Sequence, residues 1–439
     1  MNKRLICSFI TLGCKVNQYE TDFMTQSLIS EGYVVEPLSS ETDFVIINTC
    51  TVTNEADRKS RQMIRKAAKI AKNSTSIAIG CSIQVMQPND MHIADYHFGN
   101  GEKKEIVKII NQIRARQPIP KIDKAYWLRH DELTYTLKEA GSKTRQNILI
   151  QEGCSNACTY CKIFHARGTK SVSKKPDLII TELKTIAEKS CKEFILTGIN
   201  LGAYEWRGLN LSGLLKKINT EVDDSLRIRL SSLNPEDVTD ELCEQLKSQR
   251  YCPHIHLSIQ SGSNHILKNM NRKYTSEKVL QAAVKLRRID PLFSISCDII
   301  VGFPGENQVD FQETVDLIKE VQPLKTHVFR YSMKKGTLAA LIKNQIDGLT
   351  KKRRAAKITA FAKKISMEVR QMHLGKIRDI IIETTTDRKL TGHDEYYLKH
   401  ISTNDGKVFQ EGDRCKMKIE SVLQNSEPDE VISSIESVH

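Results

Sequence analysis

Short apolar runs alternate with longer stretches of helical periodicity near the start of the chain. The apolar runs cover residues 4–13, 43–49 and 76–80. Between them, at residues 17–31 and 53–72, apolar side chains recur at helical spacing. Strands that alternate with helices in this way form a parallel sheet, because each helix carries the chain back to the start of the next strand. The pattern predicts an N-terminal parallel α/β domain, which we assign to residues 1–118.

The same alternation restarts after residue 140 and lasts longer. Strand-like runs cover residues 147–152, 193–198, 226–231, 254–260, 293–301 and 326–331. Helical periodicity separates them, for example at residues 176–189, 276–289 and 308–321. Six successive strand–helix units predict a partial (β/α)6 barrel over residues 140–370. In such barrels the chemistry lies at the carboxyl ends of the strands.

The end of the chain changes to short strands. Alternating runs cover residues 379–384, 389–400, 413–423 and 431–435. This spacing predicts a small antiparallel β-barrel over residues 373–438. The whole chain is therefore expected to be of the α/β class, with a separate β-barrel at its C-terminal end.

The charge balance adds a partner to this picture. The 439 residues carry 66 Lys and Arg against 53 Asp and Glu, a formal net charge of +13. The basic residues form two runs, Lys351, Lys352, Arg353 and Arg354, and Arg58, Lys59, Arg61, Arg65, Lys66, Lys69 and Lys72. A charge run is often only a solvated helix face. Two runs beside a predicted catalytic domain, together with a β-barrel of a kind that can bind RNA, favour contact with nucleic acid.

The first residues, MNKRLICSFITLGC, resemble a lipoprotein signal, but their apolar stretch is short and interrupted by polar residues. The twelve cysteines are spread sparsely over a large chain, as in proteins of a reducing compartment. No stretch approaches the roughly 20 apolar residues of a membrane span. These features predict a cytoplasmic protein without a membrane segment.

Three cysteines follow the three strands predicted in the first domain. They are Cys14, Cys50 and Cys81. Because parallel strands end at one edge of their sheet, residues that are distant in sequence meet there. The pattern predicts a shared metal site. Three unrelated core cysteines are the alternative, although chance would scatter them along the strands.

A second group, Cys154, Cys158 and Cys161, lies in GCSNACTYCKIFHARG after the first predicted barrel strand. A structural zinc site needs four ligands, and a disulfide framework needs an even number of cysteines. Three thiols in C-x3-C-x2-C spacing indicate a metal centre with one position left open. Six other cysteines are expected to be small core residues: Cys7, Cys191, Cys243, Cys252, Cys297 and Cys415.

The C-x3-C-x2-C run, with Tyr160 before its last cysteine, resembles the radical S-adenosylmethionine superfamily. The resemblance implies a 4Fe–4S cluster whose fourth iron binds S-adenosylmethionine. Tyr160, Gly198, Arg229 and Gln260 stand beside the cluster or near strand ends. For these four residues the resemblance implies contact with S-adenosylmethionine or substrate.

Longer motifs narrow the resemblance to the methylthiotransferases. They are TLGCKVNQYETD, INTCTVT and GCSIQ in the first domain, LTGINLGAY, HLSIQSGSNHILKNMNRKY and DIIVGFPGE in the second, and LTGHDEYYLKH in the third. The resemblance implies an auxiliary 4Fe–4S cluster on Cys14, Cys50 and Cys81, and a C-terminal barrel of the TRAM type. The chain departs from the family pattern at Ala157, Lys162, Phe164 and Ser258. All six cluster ligands are nevertheless present.

GCKVNQYE is most similar to the branch that acts on threonylcarbamoyladenosine. The implied reaction adds a methylthio group to carbon 2 of that nucleoside next to the anticodon (position 37) of tRNA. It uses two 4Fe–4S clusters, S-adenosylmethionine and an electron donor such as a flavodoxin-type reductant. Two other functions stay open: methylthiolation of a ribosomal protein, and RNA binding by a non-catalytic iron–sulfur protein.

Overall fold

The first part of the chain forms one five-stranded parallel sheet in the order β2-β1-β3-β4-β5. The computed structural model describes residues 4–52, 54–86, 93–128, 132–141, 144–189, 191–386, 389–403, 409–423, 427 and 429–438. The strands of this sheet are β1 (Ile6–Thr11), β2 (Val34–Val35), β3 (Phe44–Thr49), β4 (Thr75–Gly80) and β5 (Tyr96–Phe98). Its helices are α1 (Lys15–Ser30), α2 (Asn54–Ile70), α3 (Cys81–Val85) and α4 (Ile106–Arg114).

The predicted N-terminal α/β arrangement is confirmed. The central strand β3 is buried along its whole length, as expected of a strand that is covered on both faces. The sequence pattern missed the edge strands β2 and β5, which are too short to show a period. Thr53, where the second helix was expected to begin, lies outside the described residues.

The second part contains six main parallel strands that curve into an open barrel. Its strands are β6 (Arg145–Glu152), β7 (Val172–Ser173), β8 (Glu193–Gly198), β9 (Glu205–Trp206), β10 (Leu209–Asn210), β11 (Arg227–Leu230), β12 (Ser232–Leu233), β13 (His254–Gln260), β14 (Ser294–Val301) and β15 (Lys325–Arg330). Its helices are α5 (Ile163–Arg167), α6 (Pro176–Ala187), α7 (Leu211–Glu221), α8 (Asp240–Gln245), α9 (Asn264–Asn269), α10 (Ser276–Ile289) and α11 (Gln308–Val321).

Two sheets make up this barrel, β11-β8-β6-β7 and β12-β13-β14-β15. Because β11 and β12 are consecutive pieces of one strand interrupted at Ser231, the sheets join there. The predicted (β/α)6 barrel is confirmed, and the single strand expected at residues 226–231 is corrected to two pieces. Val16 and Tyr19 of α1 pack in the same apolar cluster as the strands of this barrel. The first and second parts of the chain therefore share a core.

Helix α12 (Gly348–Gln371) leads into a closed β-barrel in the order β16-β17-β18-β20-β19. Its strands are β16 (Ile377–Thr385), β17 (Lys389–His393), β18 (Lys399–Thr403), β19 (Arg414–Ser421) and β20 (Glu430–Val438). The predicted barrel is confirmed. All its pairs are antiparallel except β18 with β20, which is parallel.

One predicted strand of this barrel, residues 389–400, is wrong. A turn divides it, because Asp394 Oδ1 accepts hydrogen bonds from the backbone N–H groups of Tyr396 at 2.9 Å and Leu398 at 2.8 Å. Tyr397 has a positive φ of 71°, which a strand does not allow. Within the described part of the chain, no helix combines the length and the apolar character that crossing a membrane requires.

Candidate iron–sulfur sites

The first three cysteines lie within three residues of the carboxyl ends of neighbouring parallel strands. Cys14 caps the start of α1, Cys50 follows β3, and Cys81 opens α3. Gly13 has a φ of +106°, and a Cβ placed on it would lie 2.8 Å from Cys50 Sγ. Burial and the nearby Cys81 thiol raise the pKa of Cys50 to about 12. The structure therefore brings these three strand ends together.

Asn17 on α1 fixes two of these strand ends to each other. Its Nδ2 donates to the carbonyl oxygens of Leu12 at 2.7 Å and Thr49 at 2.9 Å, just before Cys14 and Cys50. Asn17 is almost completely buried, so water does not compete for these bonds. The side chain holds the cysteine-bearing loops in one arrangement.

The second group lies on the loop after β6, at the carboxyl end of the first barrel strand. The Cys154 amide donates to the Gly168 carbonyl at 3.1 Å, and the Thr159 amide donates to the Met270 carbonyl at 3.1 Å. Ala157 has a φ of +47°, and Asn271 Nδ2 donates to its carbonyl oxygen at 3.2 Å. Two backbone hydrogen bonds and the side chain of Asn271 thus fix the loop.

Each cysteine group also has an arginine against one sulfur. Arg272 Nη1 lies 3.1 Å from Cys158 Sγ, and Arg167 Nε lies 3.2 Å from Cys81 Sγ. The sequence analysis missed Arg167 and Arg272, because their contacts join residues far apart in the chain. Their only signal in the sequence is a basic residue near a cysteine motif, which is common.

Each cysteine group offers thiols, the ligands that hold iron–sulfur clusters. Among the described residues, no group of three His, Cys, Asp or Glu is arranged to hold one metal ion. Each cysteine group contains three thiols, and none of the six is in a disulfide. Burial raises the pKa of Cys161 to about 12, so this thiol needs a bound cation to become a thiolate. Iron supplies such a charge.

Two family models match the chain: the Radical SAM superfamily at residues 148–318 and the Uncharacterized protein family UPF0004 at residues 7–97. A threonylcarbamoyladenosine tRNA methylthiotransferase MtaB of Thermotoga maritima is 39% identical over 394 residues, which cover 89% of each chain. One of Bacillus subtilis is 36% identical and covers 90% of this chain and 89% of that protein. A tRNA-2-methylthio-N(6)-dimethylallyladenosine synthase of Endomicrobium trichonymphae is 32% identical, with coverages of 90% and 95%.

The chain belongs to the radical S-adenosylmethionine methylthiotransferase family. S-adenosylmethionine and 4Fe–4S iron are cofactors of this methylthiotransferase. The fold of the solved radical S-adenosylmethionine methyltransferase TsrM from Kitasatospora setae is similar, with a TM-score of 0.57, 16% identity and 75% coverage of each chain. At that identity the likeness concerns the fold alone.

Three of the four residues expected to contact S-adenosylmethionine lie near the Cys154 loop or at strand ends. Tyr160 packs edge-to-face on Phe303, with ring centroids 6.5 Å apart. Gly198 ends β8, and a Cβ there would lie 2.8 Å from Gln151 Oε1, close to the start of the loop. Gln260 ends β13 with a φ of +67° and is buried. These positions suit a binding role, which stays a prediction.

Arg229 differs from these three residues, because its guanidinium is held by Glu193 and by the C-terminal barrel. Its Nε donates to Glu193 Oε1 at 3.1 Å. Its Nη atoms donate to the carbonyl oxygens of Glu395 at 3.1 Å and Asp394 at 3.0 Å, in the C-terminal barrel. In the methylthiotransferase fold these bonds join the second domain to the barrel. The expected contact of Arg229 with S-adenosylmethionine or substrate stays a prediction.

A cleft of about 750 Å³ opens beside Gly13, between α2 and the end of β15. Lys59 lies on one side, and Phe329 and Tyr331 lie on the other. Phe329 is 40% exposed, which is unusual for so large an apolar ring. Tyr331 belongs to the apolar cluster against which Tyr160 packs. A second cleft, of about 930 Å³, is lined by Thr51, Ser82 and Lys162, which directly follow Cys50, Cys81 and Cys161.

The two basic runs differ in the folded methylthiotransferase. All seven basic residues of the first run are exposed along or just after α2: Arg58, Lys59, Arg61, Arg65, Lys66, Lys69 and Lys72. In the second run Lys352 and Arg353 are exposed. Arg354 is buried and donates to the Glu306 carbonyl at 2.9 Å, so its expected part in a basic surface is wrong.

Proposed function

We propose that this enzyme adds a methylthio group to carbon 2 of threonylcarbamoyladenosine at position 37 of tRNA. One observation carries the proposal: Thr51 and Ser82, which follow Cys50 and Cys81, line one cleft together with Lys162, which follows Cys161, and Arg61 of the basic helix α2. The relatives in Thermotoga maritima and Bacillus subtilis, which carry the name of this activity, support it. The units at residues 1–118, 140–370 and 373–438 would supply the auxiliary site, the radical site and additional contact with RNA.

The chain's residues would divide the work between binding and orientation. Cys154, Cys158 and Cys161 would hold one 4Fe–4S cluster, and Cys14, Cys50 and Cys81 would hold the second. When bound, these cofactors and S-adenosylmethionine supply the radical and sulfur chemistry that an unreactive aromatic C–H bond requires. The protein itself would position the base and exclude water from the reacting atoms.

The cleft beside Gly13 suits an RNA base that is already unpaired in a loop. The ring of Phe329 offers a stacking surface, and Lys59 on the opposite wall offers a cation to the backbone. An anticodon-loop adenosine can be presented without opening a duplex. Tyr160, Gly198 and Gln260 are the residues that we propose for contact with S-adenosylmethionine.

The remaining partners follow from the chemistry. Reductive cleavage of S-adenosylmethionine needs one electron at a time, which a flavodoxin-type donor can deliver. We place the enzyme in the cytoplasm, where tRNA and such donors occur and where its sparse cysteines remain reduced.

Mass spectrometry of tRNA nucleosides from cells that lack the gene tests the proposal. We expect the methylthio form of threonylcarbamoyladenosine to disappear. Threonylcarbamoyladenosine without the methylthio group should accumulate. The intact gene should restore the modification, whereas a copy with alanine at Cys14, Cys50 and Cys81 should not. An unchanged nucleoside profile would contradict the proposal. A lost methylthio group on a ribosomal protein would then support the protein-directed reaction, and tRNA binding without either product would support a non-catalytic role.

A further inference from the structure

Arg167 lies at the junction of the two cysteine groups. It ends α5, the short helix that follows Cys161, and its side chain is fully buried. Its Nε donates to Cys81 Sγ at 3.2 Å, across the boundary between the first and second domains. A guanidinium is always charged in proteins, so this sulfur faces a permanent positive charge.

The other nitrogen atoms of Arg167 reach further into the auxiliary site. Nη2 donates to Asn17 Oδ1 at 2.6 Å and to Glu20 Oε2 at 2.9 Å, both on α1. Asn17 in turn holds the carbonyl oxygens of Leu12 and Thr49, next to Cys14 and Cys50. One guanidinium is thus connected to the neighbourhood of all three auxiliary cysteines.

Arg167 is tied equally firmly to the radical site. Nη1 donates to Glu152 Oε1 at 2.9 Å, and Glu152 is the last residue of β6 before the cysteine loop. The neighbouring Ala166 carbonyl accepts a hydrogen bond from Asn100 Nδ2 at 2.8 Å. Lys103 pairs with Glu20 at 2.6 Å, so two cations face the two buried carboxylates. Because the carboxylates and Asn17 engage the Nη atoms of Arg167, its Nε–H group is the donor to the sulfur.

We infer that Arg167 is a positioning residue that sets the reduction potential of the auxiliary cluster and fixes its location relative to the Cys154 loop. The inference rests on the proposed second cluster. A hydrogen bond and a positive charge at a ligand sulfur stabilise the more negative, reduced form of a cluster. Loss of either should therefore make the potential of the auxiliary cluster more negative.

The experiment uses the full chain with alanine at Cys154, Cys158 and Cys161, so that only the auxiliary cluster can form. Redox titration followed by electron paramagnetic resonance gives its midpoint potential, and iron analysis gives its occupancy. Arg167→Lys keeps the charge but loses the planar fork, whereas Arg167→Gln loses the charge. We expect the potential to fall in the order parent, Arg167→Lys, Arg167→Gln, with similar iron content.

Arg250→Lys is the matched control. Arg250 is also buried in the second domain, where it donates to the carbonyl oxygens of Ile218 at 3.2 Å and Val222 at 3.0 Å, and its hydrogen-bond partners among the described residues include no cysteine. It should leave the potential unchanged. Equal potentials in the parent and both Arg167 variants would overturn the inference while leaving the proposed function standing. A parent that binds no iron would instead overturn the second cluster itself.

A second measurement needs no substitution of Arg167. The protein with the auxiliary cluster alone is labelled with ¹⁵N in the arginine guanidinium groups, and the reduced cluster is examined by pulsed electron paramagnetic resonance. A ¹⁵N coupling together with an exchangeable proton coupling is expected from the Nε–H group. If neither coupling is found, Arg167 does not donate to the cluster, whatever the variants do.

Discussion

Gly13 packs directly against Cys50. A Cβ on Gly13 would lie 2.7 Å from the Cβ of Cys50 and 2.8 Å from its Sγ, and the φ of Gly13 is +106°. Gly13→Ala would therefore displace a proposed cluster ligand and would add backbone strain of about 1–3 kcal/mol. We expect this variant to lose the auxiliary iron, about half of the total, while the Cys154 site still cleaves S-adenosylmethionine. Iron analysis and assay of 5′-deoxyadenosine measure the two effects.

Gly32→Ala is the control that separates backbone strain from displacement of Cys50. Gly32 also has a positive φ, +84°, but a Cβ there would meet nothing within 4 Å. This control should lower the melting temperature without loss of iron. Equal iron in Gly13→Ala and Gly32→Ala would mean that Cys50 is not a ligand.

Iron stoichiometry tests the two cysteine groups independently. Anaerobically reconstituted protein should bind about eight irons, and alanine at either complete group should leave about four. Without Cys154, Cys158 and Cys161, 5′-deoxyadenosine should not form. Without Cys14, Cys50 and Cys81 it should still form, but no methylthiolated product should appear.

Alanine at Cys7, Cys191 and Cys297, which are buried in the core, is the control and should leave iron unchanged. Full iron in either triple variant would refute its ligand assignment.

Local patterns predicted most of the fold, because strands, helices and the cysteines at strand ends are encoded in short segments. Cys14, Cys50 and Cys81 could be brought together from topology alone. Arg167 could not, since its partners on α1 come from a domain docked onto its own. The contacts of Arg229 could not be predicted either, because its partners Asp394 and Glu395 belong to a barrel whose position the sequence does not encode locally.

Phe329 provides a test of the cleft. If its half-exposed ring stacks on the target base, Phe329→Ala should lose about 1–3 kcal/mol of stacking, and tRNA affinity should fall roughly 5- to 150-fold. Cleavage of S-adenosylmethionine without tRNA should not change, because the ring lies on the cleft wall. Val284→Ala removes an apolar side chain that is 51% exposed on the outer face of α10, and it is the matched control. Equal tRNA affinity in both variants would remove Phe329 from the binding surface.

The exposed basic face of α2 provides a test of RNA binding. Arg61, Arg65 and Lys69 recur every four residues and share one side of the helix. Replacing all three with glutamine should weaken tRNA binding and reduce the slope of log affinity against log salt by about 0.7–0.9 for each lost phosphate contact. Glutamine at the exposed Lys184, Lys216 and Lys319, on outer helices of the second domain, keeps the same net charge as the test variant. Identical slopes in the two triple variants would mean that Arg61, Arg65 and Lys69 affect RNA binding only through the net charge of the protein and make no direct contact with phosphate.

Glu193 provides a test of how the C-terminal barrel is attached. Burial alone would raise the pKa of this carboxyl, but Arg227, Arg229 and Arg145 together lower it below its ordinary value of 4.5. Arg227 Nη1 also donates to the Asp379 carbonyl at 2.7 Å, so the arginines join the carboxylate to the barrel. Glu193→Gln would leave buried positive charge unpaired and should cost about 3–5 kcal/mol.

The direction of the pKa shift of Glu193 determines how the cost of Glu193→Gln depends on pH. A lowered pKa means that ionised Glu193 stabilises the fold fully above about pH 4.5, and that this contribution declines as the pH falls below that value. The difference in melting temperature between the parent and Glu193→Gln should therefore be constant between about pH 6 and 8 and should narrow in acid.

Limited proteolysis at neutral pH should release residues 375–439 from the variant before the first two domains are cut. Glu139→Gln, which removes an exposed partner of Lys189, should have little effect on either measurement. A variant as stable as its parent at neutral pH would show that the arginines hold the barrel without Glu193.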